Sequence, residues 1–221
     1  MEANSFPGNL SFRVGCIALD GGREYQEDRI FFVKDFNSLI PNISTEDCNR
    51  RSLFFVFDGH GGSECSSFLV KKFPTELAKH EKICTQPLAC LQETWDKMDE
   101  LFFNHCKQIA GPAFPNAGST CTVCLLINND LYITNCGDSS CYFVSKNGTS
   151  MLLTEEHGTH IADEANRVVE NGGTLVSQKI RGSQSFPFCC FIKIMEGKPR
   201  VQPGGLLGRF VFFKTDHCSS L

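Results

Sequence analysis

The stretch Phe54-Phe55-Val56-Phe57-Asp58-Gly59-His60-Gly61-Gly62 joins an apolar run to a carboxylate, and the carboxylate to glycines flanking a histidine. The end of a strand fixes Asp58 in space, and Gly59 and Gly61 let backbone approach a ligand closely. A hard cation held there would take oxygen from Asp58 and from a backbone carbonyl, with His60 beside it. The same residues also fit a plain glycine turn in which Asp58 caps a helix, so the motif alone leaves both readings open. A second acidic group, Arg23-Glu24-Tyr25-Gln26-Glu27-Asp28, follows a Gly21-Gly22 turn. The adjacent carboxylates Glu27 and Asp28 repel each other, which costs little on a surface and elsewhere needs a cation or its water shell nearby. Arg23 offers the planar fork suited to a phosphate. Taken singly, such a run is more often a solvated turn. The third group, Asn135-Cys136-Gly137-Asp138-Ser139, is an acidic kink between two apolar runs, and it too has the form of an ordinary turn.

Strands and helices must hold these groups. Residues 11–19 (SFRVGCIAL) alternate Phe12, Val14, Cys16 and Ala18 on one face and are expected to form a strand, as are RIFFVK from Arg29 and SLFFVF from Ser52. The asparagine-rich segment between the last two, with Pro41, is expected to be a surface loop. After Gly62, Cys65, Phe68, Leu69 and Phe73 recur at helical spacing until Pro74, which is expected to interrupt the ladder. A longer helix is expected from about Pro87 to Ile109, with an inward stripe through Leu91, Trp95, Met98, Phe102, Cys106 and Ile109 and a stop at Gly111-Pro112. From Ser119 the texture is that of an antiparallel meander: STCTVCLLI, a turn at Asn128-Asn129, LYITN, a break at Gly137-Asp138, SCYFVS, a turn at Asn147-Gly148, then TSMLL. Ile161 to Asn171 is expected to be a helix with Ile161, Ala165, Val168 and Val169 inward, ended by Gly172-Gly173. Beyond Val176 the periodicity is too poor to read.

The chain has 221 residues, 41% hydrophobic and 21% charged, with no repeat and no linker, and is expected to form one domain spanning 1–221. A formal charge of −4 argues against a nucleic-acid partner. The longest apolar run, around Val123 to Ile127, falls far short of the roughly 20 residues that span a bilayer, so no membrane partner is expected. The start MEANSFPGNL lacks a basic end followed by an apolar stretch. The thirteen cysteines are therefore expected to be free thiols in a reducing compartment, cytoplasmic or nuclear. Cys121-Thr122-Val123-Cys124, with Cys136 and Cys141 near, has zinc-ligand spacing, but strand positions three apart face opposite sides of a sheet, which argues against one shared ion.

R-x-x-x-E-D from Arg23, the strand ending F-D-G-H-G-G, G-S-T at Gly118, N-x-G-D-S at Asn135, L-T-x-x-H at Leu153 and E-x-x-R-V-x-x-x-G-G at Glu164 occur in that order. Together, over Arg23 to Gly173, they resemble the metal-dependent protein phosphatases of type 2C. The resemblance implies an α+β fold, a four-layer α-β-β-α sandwich of two antiparallel sheets flanked by helices. It implies a monomeric protein serine/threonine phosphatase that hydrolyses phosphoserine and phosphothreonine in phosphorylated proteins by metal-activated water, without a phosphoenzyme. Two Mg²⁺ or Mn²⁺ ions are implied, bridged by Asp58 and bound by the carbonyl of Gly59, with Glu27 and Asp28 holding metal-bound waters. Arg23 would grip the substrate phosphate, His60 would be the general acid, and Asp138 would ligate a weaker third metal. No cysteine is needed as a nucleophile, and the C-x5-R loop of thiol phosphatases does not occur.

Members of that family carry two later aspartates, in D-G-x-x-D and in a terminal N-D, and neither motif is present here. The domain is therefore expected to be incomplete at its C-terminus. Asp216 follows an apolar run, but His217 stands where a glycine is expected, so Asp216 is not expected to restore the ligand set. The alternative reading is a weak or inactive relative that binds phosphoproteins.

Overall fold

In the computed structural model, residues 12–110, 117–158, 161–170 and 213–214 are described. The β-rich runs become β1 (Arg29–Val33) and β2 (Arg51–Phe57), which pair antiparallel with Phe31 opposite Phe55. The short β3 (Gly59–His60) follows directly and pairs with β4 (Gly118–Ser119). β5 (Cys121–Ile127) lies antiparallel beside β2, and β6 (Asp130–Cys136) returns beside β5 through the turn at Asn128, whose φ of 55° is left-handed. β7 (Tyr142–Val144) and β8 (Ser150–Leu152) form a separate hairpin, and β9 (Phe213–Lys214) adds to the far side of β6. The main sheet has the order β1-β2-β5-β6-β9. These antiparallel sheets with packed helices establish the α+β class.

One face of the main sheet carries Leu53, Phe55, Phe57, Cys121, Val123 and Leu125, all 1% exposed or less. Alternation along each strand puts them together, and they are covered by α1 (Glu64–Ala78) and α2 (Pro87–Ala110). The Phe55 ring stacks on Phe57 at 5.2 Å and meets Phe73 of α1 at 4.9 Å; Phe73 in turn meets Trp95 of α2 at 5.7 Å. Sheet, α1 and α2 thus share one aromatic core. α3 (Ala162–Glu170) follows the β7–β8 hairpin. Among the described residues no helix is long and apolar enough to cross a membrane.

Several expectations from the sequence need correction. Residues 12–19 form no strand; Ile17 and Leu19 are about three-quarters exposed. Alternation makes a strand only where a ladder partner is available, and Phe12 packs edge-on against the Phe54 ring instead, with Lys34 Nζ over its own ring. Pro74 does not end α1, which runs on to Ala78. An interior proline costs a helix about 3 kcal/mol, but Leu77 and Ala78 beyond it are buried, and burying a leucine returns about 1.5–3 kcal/mol. The loop before β2 includes a 3-10 turn (Phe36–Leu39) that sinks Phe36 entirely into the core. The expected single meander is split, because Gly137, at φ 102°, kinks the chain out of the main sheet before β7.

Ile109 is 63% exposed, although Cys106 one turn earlier in α2 is fully buried. Val169 of α3 is 56% exposed rather than inward. The predicted stops at Gly111-Pro112 and Gly172-Gly173, and Asp216, lie outside the described residues.

Candidate active site

Asp58 follows the last residue of β2, at the open edge where β3 turns away. Its backbone is held on both sides by Thr120, between β4 and β5: the Asp58 N–H donates to Thr120 Oγ1 at 3.1 Å, and the Thr120 N–H donates to the Asp58 carbonyl at 2.8 Å. Gly59 is required by close packing. A Cβ there would collide with the Glu27 carbonyl and lie 2.8 Å from Ser66 Oγ.

The segment before β1 is locked onto the same edge. Glu27 is 9% exposed; its Oε1 accepts from the Gly62 N–H at 2.6 Å, and its carbonyl accepts from the Ser66 hydroxyl at 2.5 Å. Arg23 Nη1 lies 3.8 Å from Glu27 Oε2, and the Arg23 side chain is 78% exposed. The Gln26 amide oxygen accepts from the Asp28 N–H at 3.0 Å, turning the chain into β1.

The third acidic group arrives from the β6–β7 loop. Asn135 donates to the carbonyls of Gly137 at 3.1 Å and Glu155 at 2.9 Å, and accepts from the Thr122 hydroxyl at 2.6 Å. The Gly137 N–H donates to His157 Nδ1 and the His157 N–H donates back to the Gly137 carbonyl, both at 3.0 Å. Ser139 Oγ and Thr120 Oγ1 are 2.6 Å apart. Thr120 therefore ties the loop bearing Asp138 to the backbone of Asp58.

All seven predicted site residues meet at this edge. The Asp58 carboxyl is pushed up to about 6 by partial burial, then by the charges of Asp28 and Asp138, with Asp28 within hydrogen-bonding reach; Arg23 acts in the opposite sense. Burial holds the His60 imidazole below its ordinary value, against the pull of Glu27 and Asp138. Asp58 is open to solvent on one side, so repulsion among the three aspartates is what a cation placed between them would relieve.

The donors are all hard oxygens. No three His, Cys, Asp or Glu side chains among the described residues form a cluster able to hold an ion by themselves. This set fits a cation such as Mg²⁺, which keeps several waters and takes only one or two carboxylates. Cys121 packs in the core opposite Cys136, while Cys124 faces the other side of the sheet, next to Cys141. The C-x2-C pair therefore does not converge on one ion.

Reasoning from sequence left Thr120, Asn135, His157 and Ser66 without individual roles. The first three lie within the motifs G-S-T, N-x-G-D-S and L-T-x-x-H, so their positions were marked, but their work is to hold backbone. Ser66 carried no signal, because its partner is a carbonyl 39 residues away. The E-x-x-R motif is an ion pair within α3, with Arg167 forking onto Glu164 at 2.6 and 2.8 Å.

The profile of the family described as Protein phosphatase 2C matches residues 12–186. Probable protein phosphatase 2C 55 of Oryza sativa subsp. japonica is 34% identical over 173 residues, covering 78% of this chain and 42% of that protein. Probable protein phosphatase 2C member 13, mitochondrial, of the same species is 36% identical over 57% of this chain and 33% of that protein. The chain thus spans less than half the length of these relatives. The structure of a C. elegans sex determining protein superposes with a TM-score of 0.58 at 25% identity, covering 71% of this chain and 37% of the other. The serine-threonine phosphatase 2C of Toxoplasma gondii shares the fold, with a TM-score of 0.54 at 20% identity over 70% of this chain and 52% of its own.

Proposed function

The chain belongs to the protein phosphatase 2C family, and from that premise we propose that it acts as a protein serine/threonine phosphatase dependent on Mg²⁺ or Mn²⁺. The observation that carries this reading is the convergence of Asp28, Asp58 and Asp138 at one sheet edge, flanked by Arg23 and His60. Asp58, the Gly59 carbonyl and Asp138 would hold the cations, with Glu27 and Asp28 orienting their waters. A bound divalent cation supplies a more acidic water near neutral pH and screens phosphate charge.

The chain's own residues account for the rest. Arg23 is exposed and only loosely engaged at 3.8 Å by Glu27, so its guanidinium is available to bind a phosphate through parallel N–H donors. His60 sits between the acidic groups and would pass a ring N–H proton to the serine or threonine oxygen as it leaves. An incoming phosphate adds negative charge, which favours the protonated imidazole against the effect of burial. Phosphorylated proteins are the substrates in this reading. A monomeric catalytic unit with the four-layer α-β-β-α arrangement, working in cytoplasm or nucleus, belongs to the same proposal.

A second reading, phosphoprotein binding without turnover, draws on the sparse ligand set. Calorimetric titration of Mn²⁺ into the wild type and Asp58→Asn, with a phosphothreonine peptide assayed on the same samples, separates the two. Binding with Kd near ~1 µM and turnover, both lost in Asp58→Asn, supports the phosphatase. Peptide binding with neither Mn²⁺ response nor turnover supports the second reading.

A further inference from the structure

Cys124 of β5 and Cys141, just before β7, place their sulfurs 3.7 Å apart across 17 residues of sequence. Both side chains are half-buried, within reach of a small oxidant. Cys121, Cys136 and Cys65, by contrast, lie in the core, where burial pushes the thiols of Cys121 and Cys65 well up and keeps them unreactive. We propose that Cys124 and Cys141 form a peroxide-driven disulfide that clamps the loop carrying Asp138. The reaction balances as two thiols and one hydrogen peroxide giving one disulfide and two waters. One cysteine is first oxidised to a sulfenic acid as the O–O bond breaks. The other sulfur then attacks it, forming the S–S bond and expelling water.

The geometry favours this pair. The sulfurs need to close from 3.7 Å to about 2.0 Å. Cys141 is fixed against β8, its N–H donating to Thr154 Oγ1 at 3.0 Å and its carbonyl accepting from the Leu153 N–H at 2.8 Å. The two sulfurs share a single S–H···S contact in which either can be the donor, so either can be oxidised first and the other can attack it. The loop that would be pulled is pinned elsewhere: at Gly137 by His157, and at Ser139 by Thr120, whose hydroxyl also receives the Asp58 N–H. A covalent bond at Cys141 therefore loads a loop already tied to Asp58. That consequence rests on the phosphatase reading, whereas the thiol chemistry does not.

The test uses the full reduced chain treated with hydrogen peroxide, then alkylated and mapped by mass spectrometry. The expected result is a Cys124–Cys141 linked peptide, two hydrogens lighter than the reduced pair, formed in the folded chain and suppressed in urea. Cys124→Ala should abolish the link. Cys141→Ser, near the exposed β7–β8 hairpin, should also abolish it while keeping the far-ultraviolet circular dichroism of the wild type. The proposal is overturned if both thiols stay alkylatable while the exposed Cys16 and Cys48 oxidise, or if the link forms equally fast in urea. A mapped disulfide in a chain whose reduced form gives no Mn²⁺ response would leave the thiol pair standing and remove the phosphatase reading.

Discussion

Replacing Thr120 by valine removes one hydroxyl and keeps the branched shape, including the methyl that packs where a Gly137 Cβ would lie at 2.6 Å. That hydroxyl accepts from the Asp58 N–H at 3.1 Å and meets the Ser139 hydroxyl at 2.6 Å. Leaving the part-buried Asp58 N–H without its acceptor costs about 1–3 kcal/mol, and the lost hydroxyl pair adds about 1 kcal/mol. Thr120→Val should therefore lower unfolding stability by about 2–3 kcal/mol, read as a fall in the urea midpoint at unchanged slope. Because the same hydroxyl ties the Asp138 loop to Asp58, Mn²⁺ affinity should fall about 10- to 100-fold, the usual cost of losing a group that orients a ligand. Thr120→Ser keeps the hydroxyl and should recover most of both losses. Wild-type stability and Mn²⁺ binding in Thr120→Val, or a Thr120→Ser variant as impaired as the valine, would refute the reasoning.

Gly59→Ala drives a methyl into the Glu27 carbonyl and the Ser66 hydroxyl, and should destabilise the fold by about 1–3 kcal/mol while displacing the segment bearing Glu27 and Asp28; thermal melting of the purified variant measures it. Arg51 is 1% exposed, with its guanidinium on Asp47 at 2.8 Å and Asn37 at 3.2 Å, so Asp47→Ala strands a buried charge and should cost about 3–5 kcal/mol by urea unfolding. Burial works to raise the Asp47 carboxyl, but the Arg51 hydrogen bond, the Asn49 N–H and the Arg51 charge hold it below its ordinary value. A folded-state pKa below the unfolded value of about 3.9 means this stabilisation is complete above that pH and disappears as pH falls through the lower folded value. Acid unfolding of the wild type should therefore steepen below about pH 4, and that component should be missing in Asp47→Ala.

Much of the site was legible in the sequence because its chemistry is written in short local motifs. Arg23 with Glu27 and Asp28, Asp58 with Gly59 and His60, and Asp138 after Gly137 each announce acidic or phosphate-binding chemistry within six residues, and each sits at the end of a strand or run that periodicity identifies. β1, β2, β5, β6, α1 and α2 follow from the spacing of Phe, Leu and Val, since a sheet half-buried against helices demands alternation and the helices demand a stripe. Tertiary packing decided what local pattern could not. Residues 12–19 alternate like a strand but have no ladder partner among the described residues. α1 passes through Pro74 because Leu77 and Ala78 are buried, and the meander divides at Gly137. Thr120 and Ser66 hold Asp58 and Glu27 through contacts 62 and 39 residues apart in the chain. A short motif can name a carboxylate and its neighbours, but which hydroxyl takes up its backbone depends on strands brought side by side, and that is a property of the folded chain alone.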